Sequence, residues 1–126
     1  MLRTMCKSKI QRATVTKSEL YYEGSLTLDT TLMDAADMKP FEKIQVLNVN
    51  NGERLETYLI PGESNTGIVC LNGPAARCGV AGDEVIIISY ADYDDNELED
   101  FKPKIVYVDK RNKILDVEKR NEPIYV

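Results

Sequence analysis

Apolar and polar positions alternate along this chain in short runs separated by turn residues, and the pattern is mostly that of strands. Residues 9–16, Lys-Ile-Gln-Arg-Ala-Thr-Val-Thr, are rich in branched side chains and read as a strand. Ser25 to Asp29 alternates, with Leu26 and Leu28 on one side. Asp29-Thr30-Thr31 can cap a short helix carrying Leu32, Met33, Ala35 and Ala36, which Pro40 stops from running far. Residues 43–49 form the next strand. Asn51-Gly52 is the strongest hairpin signal in the chain, because both residues tolerate positive φ, and Glu53 to Ile60 is the return strand. Pro61 to Gly67 reads as a loop and Ile68 to Leu71 as a short buried strand. Residues 72–77 read as a tight turn or one helical turn. The strand from Glu84 to Tyr90 has a centre, Val85-Ile86-Ile87-Ile88, apolar on both faces as in a central strand. Residues 92–100 are an acidic linker. Strands at 104–108 and 114–117 precede a polar tail. Six or seven short strands with few helices predict a mainly β fold, a compact barrel in preference to an α/β sheet, with a sandwich as the alternative.

The length of 126 residues fits a single domain with a core of its own. The counts then remove chemistries. With no histidine, serine-histidine and cysteine-histidine nucleophile systems and histidine-containing zinc sites are excluded. Cys6, Cys70 and Cys78 are an odd number without a C-x-x-C pair, so they read as small buried apolar residues in a reducing cytoplasm. A net charge of −5 argues against a nucleic-acid partner. No apolar run approaches a membrane span, and the basic segment 1–10 lacks a signal peptide's apolar stretch. Asp92, Asp94, Asp95 and Glu97 could crowd a cation. They lack the glycine and the twelfth-position glutamate of a calcium loop, so no metal site is expected.

Gly24-Ser25 alone reads as a turn, yet it permits a specific reaction. A serine hydroxyl can attack the carbonyl of the residue before it, and glycine tolerates the strained backbone this needs. Around this pair stand the opening segment 1–10, Arg12-Ala13-Thr14-Val15-Thr16 and Gly24-Ser25-Leu26-Thr27-Leu28-Asp29. Asn50-Asn51-Gly52, Glu56-Thr57-Tyr58, Cys70-Leu71-Asn72-Gly73, Ala75-Ala76-Arg77 and the run from Gly82 to Tyr90 follow in order. Together they resemble the pyruvoyl-dependent aspartate 1-decarboxylases, in register from Met1 to about Tyr90, with Phe101-Lys102-Pro103-Lys104 similar to the longer members.

The resemblance implies a double-psi β-barrel of one domain with short helices, assembled as a homotetramer and made as an inactive proenzyme. The chain would cut itself between Gly24 and Ser25, giving a β chain of residues 1–24 and an α chain of 25–126. Residues from about 92 to 126 would form an acidic linker and C-terminal extension. Ser25 would become a covalent pyruvoyl cofactor. This would take L-aspartate as a Schiff base, release CO₂ and give β-alanine for pantothenate and coenzyme A. A maturation helper protein is an open partner; nucleic acid, membrane and metal are not expected.

Roles carry over residue by residue. Tyr58 matches the proton donor, and Thr57 matches a residue that binds substrate and stabilises the oxyanion of self-cleavage. Asn72 would help hold the cleavage site. Arg54 and Lys9 match the cations near the two substrate carboxylates. Gly73, Pro74 and Ala75 match the substrate-binding turn. Two positions depart from the pattern: Gln11, commonly histidine, and Pro74, commonly alanine, which has no N–H to offer. On a regular strand Arg54, Glu56, Tyr58 and Ile60 share one side and Thr57 takes the other. A bulge, a different contact for Thr57, or a site shared between subunits would reconcile this. The competing readings are a non-catalytic double-psi binding module and a pyruvoyl decarboxylase for another amino acid.

Overall fold

The computed structural model of the chain describes residues 1–120, so the end of the predicted polar tail, 121–126, lies outside the described residues. In chain order the elements are β1 (Leu2–Thr14), β2 (Lys17–Glu19), β3 (Ser25–Asp29), α1 (Thr30–Ala35), β4 (Lys43–Asn48) and β5 (Arg54–Gly62). Then come β6 (Val69–Asn72), β7 (Glu84–Asp94), β8 (Lys104–Val108) and β9 (Ile114–Lys119). Two 3-10 helices, Gly73–Cys78 and Glu97–Asp100, lie before and after β7.

The strands bond side by side in the order β2-β6-β3-β5-β4-β7-β1-β8-β9. β2, at one edge, continues β1, near the other, through Val15 and Thr16. Val15 N–H bonds the Asp83 carbonyl and Thr16 N–H the Val69 carbonyl, each at 2.8 Å. The sheet is thereby drawn round into a barrel. β3 runs parallel to β5 and antiparallel to β6, so the chain crosses over instead of meandering. This is a mainly β fold of the double-psi barrel type. Its interior is filled by Ile10, Leu26, Leu28, Val46, Leu59, Val85, Ile87 and Val106, among others, each 0% exposed. Burying each such aliphatic side chain contributes about 1.5–3 kcal/mol.

Several elements differ from their sequence-based bounds, each for a local reason. β1 begins at Leu2, seven residues earlier than the branched run implies, because its first half pairs with the far end of β7. A register shift between Ile10 and Ala13 marks a bulge, with Arg12 at φ 58°, and it lets both flanking residues face the core. β5 runs on to Gly62 through Pro61. The pairing with β4 ends at Tyr58, so the missing N–H of Pro61 interrupts no ladder on that side. The β4–β5 connection is not a two-residue turn. Only Gly52 has positive φ (78°), and the Asn48 side chain accepts from the N–H groups of Asn50 and Asn51. β7 is central between β1 and β4, but Ile86 and Ile88 on its outer face are only half-buried. Of the acidic run, Asp92–Asp94 continue β7. Arg3 bonds Asp95 at 2.8 Å and the Thr4 hydroxyl bonds Asp92 at 2.6 Å, so these carboxylates fasten β7 to the start of β1.

α1 starts as its sequence predicts: Asp29 accepts from Thr31 N–H at 2.8 Å. It ends at Ala35, before Pro40 can act, because Asp37 turns left-handed at φ 54°. Asp29 also accepts from the N–H groups of Asn65 (3.0 Å) and Gly67 (2.8 Å), which ties the β5–β6 loop to the helix. Burial alone would raise its carboxyl pKa, but these backbone donors outweigh it and hold the group below the usual range. A depressed carboxylate stabilises the fold above its unfolded pKa of about 4 and loses that contribution as pH falls through the folded value. Asp29→Ala is therefore expected to cost about 2–3 kcal/mol at pH 7, with a smaller deficit at pH 3, read from urea unfolding midpoints.

Candidate active site

The Gly24–Ser25 pair sits where cross-strand register collects polar side chains on one face. β6 sets Asn72 opposite Ser25 and Cys70 opposite Thr27. β2, on the far side of β6, sets Glu19 opposite Asn72 and Lys17 opposite Cys70. β5 sets Leu59 opposite Leu26, the first pair of that ladder, so Tyr58 and Ser25 each lie one residue before it. Leu26, Leu28, Val69 and Leu71 point into the core, so strand alternation turns Ser25, Thr27, Cys70 and Asn72 to the other face.

Ser25 is 0% exposed. Its hydroxyl donates to the Glu23 carbonyl at 3.2 Å and accepts from Asn72 Nδ2 at 3.0 Å. The same Nδ2 donates to Thr27 Oγ1 at 2.8 Å, and the Cys70 thiol donates to Asn72 Oδ1 at 3.2 Å. Neither direct partner of the serine is a base, so these contacts orient the hydroxyl without deprotonating it. Cys70 is buried and free, whereas Cys6 and Cys78 are free but only half-buried, which corrects the expectation of three buried apolar residues. Burial pushes the Cys70 thiol pKa up, aided by the negative charge of Glu19, so the thiol keeps its proton at neutral pH.

Gly73 opens the first 3-10 helix at φ 64°, and the chain crowds it. A Cβ there would lie 2.6 Å from the Tyr22 carbonyl oxygen and 2.8 Å from Gly24 N. Only glycine lets the segment 22–24 lie this close to the turn. The segment before Ser25 is thus packed directly against the backbone of the turn.

A cavity of about 390 Å³ opens beside it, lined by Gly24, Leu55, Glu56, Thr57, Tyr58, Pro74, Ala75 and Cys78. It brings together Gly24, Thr57, Tyr58, Pro74 and Ala75 from the sequence-derived set. The alternation problem at Thr57 resolves without a bulge. β4–β5 pairing is regular from Tyr58 to Arg54, and Thr57 shares its side with buried Leu59. Because β3 begins only at Ser25, the edge of β5 is open beyond that point, and residues from both of its faces reach the cavity. The Tyr58 ring stacks on Phe41 with centroids 6.1 Å apart.

Two expected cations are not among the lining residues. Arg54 is exposed at the start of β5, on the same side as Tyr58 by alternation. Lys9 lies on β1 between β7 and β8, with β4 and β7 between it and β5 in the sheet order. Among the described residues neither has a carboxylate within 4 Å of its charged nitrogens. Gln11 sits at the β1 bulge beside Tyr107, with its buried Oε1 lacking a partner. Sequence reasoning missed Thr27 and Cys70. Their signal was the i, i+2 spacing from Ser25 and from Asn72, which becomes informative only once the two strands are known to pair.

Comparison with known proteins agrees with this geometry. Residues 1–115 match the family described as Aspartate decarboxylase. The chain is 57% identical over 114 residues to the aspartate 1-decarboxylase of Leptospira biflexa serovar Patoc, covering 90% of this chain and 97% of that one. It is 51% identical over 123 residues to the aspartate 1-decarboxylase of Moorella thermoacetica, covering 98% and 96%. The similar protein of Persephonella marina is 56% identical over 114 residues, covering 90% and 81%. With a barrel of the expected type, a buried Ser25 joined to a cavity-lining Gly24, and near full-length similarity, this chain belongs to the aspartate decarboxylase family.

Proposed function

We propose that this protein is a carboxy-lyase that converts L-aspartate to β-alanine and CO₂, using a pyruvoyl group made from its own Ser25. The observation that carries the reading is the setting of Ser25: buried, oriented by Asn72, and joined to a glycine that lines the cavity holding Thr57 and Tyr58. Ser25 Oγ attacks the Gly24 carbonyl carbon. As the C–O bond forms, the C–N bond breaks and the serine nitrogen gains a proton. Thr57 Oγ1 donates to the oxygen that carries charge in this step. The ester then loses the Ser25 α-proton, its Cβ–O bond breaks, and the Gly24 carboxylate departs, leaving dehydroalanine. Water replaces the nitrogen of its imine tautomer, releasing ammonia and leaving the pyruvoyl group. Residues 1–24 and 25–126 become two chains of one domain, the second retaining the end of β7, the second 3-10 helix, β8 and β9.

The crowding around Gly73 supports this reading and can be tested. Gly73→Ala is expected to slow self-cleavage at least about tenfold, because its Cβ displaces the Tyr22–Gly24 segment from the orientation in which Ser25 attacks. Gel separation of the two product chains over time is the readout; cleavage at the unsubstituted rate would show that the close approach is immaterial.

When formed, the pyruvoyl group supplies a ketone to engage the substrate amine and an adjoining carbonyl to take up the electrons freed as CO₂ leaves. The chain's own residues do the rest. Arg54 and Lys9 hold the two substrate carboxylates, Arg54 through a bidentate fork. The N–H groups of Gly73 and Ala75 donate from the turn, and Pro74 contributes only its ring as a wall. Tyr58 Oη delivers a proton to the carbon that has lost CO₂. Two strands, β4 and β7, separate Lys9 from β5 in its own chain, so this cation belongs to a site completed by a second copy within a homotetramer. β-Alanine then serves pantothenate and coenzyme A synthesis. Three free thiols fit a reducing cytoplasm, and among the described residues no helix is long and apolar enough to cross a membrane.

The direct test supplies L-aspartate, L-glutamate and a basic amino acid to the cleaved protein and follows amine products by chromatography. β-Alanine from aspartate, with negligible products from the others, is expected. Preferential turnover of another amino acid, or none by fully cleaved protein, would overturn the reading.

A further inference from the structure

We propose that Cys70 is a positioning residue for self-cleavage, its thiol fixing the Asn72 side chain so that Nδ2 faces Ser25 Oγ. The inference rests on the self-cleavage reading above. The hydrogen bonds run in one direction: Cys70 Sγ to Asn72 Oδ1 at 3.2 Å, Asn72 Nδ2 to Ser25 Oγ at 3.0 Å, and Ser25 Oγ to the Glu23 carbonyl at 3.2 Å. Asn72 is 3% exposed, so each end of its amide needs a protein partner. An amide can rotate by half a turn and exchange its oxygen and nitrogen with little change in shape. The thiol breaks that near-symmetry, because it offers Oδ1 a donor.

Without that donor, Oδ1 is a buried acceptor with no partner. It is best satisfied by rotating toward the hydroxyls of Thr27 and Ser25. The Ser25 proton would then be spent on Asn72 instead of the Glu23 carbonyl, and the oxygen lone pair would turn away from its present direction. Thr27, opposite Cys70 on β3, accepts the other Nδ2 proton at 2.8 Å and completes the clamp. Cys70 touches no reacting atom. It acts through Asn72, and burial keeps its thiol protonated and able to donate.

The test follows cleavage of freshly purified uncut chain by intact mass, comparing Cys70→Ser, Cys70→Ala and Cys70→Val with the unsubstituted protein. Cys70→Ser retains a donor and is expected to cleave within about twofold of the original rate. Cys70→Ala and the near-isosteric Cys70→Val lack the donor and are expected to be about three- to tenfold slower while still folded by near-ultraviolet circular dichroism. Valine fills the thiol's space, so a slow but folded Val variant separates lost orientation from a lost packing contact. Equal rates for all four proteins would overturn the proposal, as would a folded Ser variant as slow as Val. An unsubstituted chain that never cleaves would instead overturn the self-cleavage reading on which it stands.

Discussion

Ser25→Ala is expected to give a folded, single, uncut chain with decarboxylation reduced at least about 10⁴-fold. Removing the hydroxyl removes the nucleophile, so neither the acyl shift nor the group derived from it can form. The fold should survive. The substitution deletes the contacts of one hydroxyl, with the Glu23 carbonyl and Asn72 Nδ2, and Asn72 keeps Thr27 as an acceptor. The stability cost is about 1–2 kcal/mol, a shift readable in thermal unfolding. Two chains broken after residue 24 in this variant would mean that another group performs the cleavage.

Tyr58→Phe is expected to separate maturation from turnover. The variant should cleave normally, since the ring is kept and Tyr58 Oη has no hydrogen-bond partner among the described residues. Stacking on Phe41 is also retained. Decarboxylation should fall about 10²–10³-fold in kcat with KM little changed, because the lost hydroxyl serves the proton transfer and not binding. Steady-state β-alanine formation at saturating aspartate measures this. A kcat within a few-fold of the original would assign the proton to another donor.

Much of the barrel was legible in local pattern. The strand centred on Leu26 and Leu28 and the capped helix after Asp29 follow from alternation and capping, and the β7 strand from its apolar run, all of which depend on neighbours in sequence. What was illegible depends on pairing between distant segments. The early start of β1 is set by the far end of β7. The extension of β5 through Pro61 is set by β3. A proline reads as a break until it is known which side of its strand lacks a neighbour. Asn51-Gly52 carried a turn signal, but buried Asn48 caps the loop and selects another geometry.

The site divides along the same line. Gly24, Ser25, Thr57, Tyr58 and Asn72 were named from motif resemblance; the fold sets Gly24, Thr57 and Tyr58 on one cavity and buries Ser25 and Asn72 together beside Gly24. Alternation alone placed Thr57 apart from Tyr58, and only the open edge of β5 beyond Ser25 removes that conflict. Lys9 and Arg54 were named by the same route, yet a single chain does not bring Lys9 to the cavity. Cys70 carried no motif of its own. Its significance comes from β3–β6 register, which sets it opposite Thr27, two register positions from the Ser25–Asn72 pair and on the same face.

Intact mass spectrometry of the purified, denatured protein tests the central claim most directly. Two chains ending and starting at the Gly24–Ser25 bond are expected, the larger lighter by one ammonia than a fragment beginning with serine. A single chain of full mass, unchanged after prolonged warming and after addition of cell extract, would contradict it and leave a barrel that binds without cutting itself.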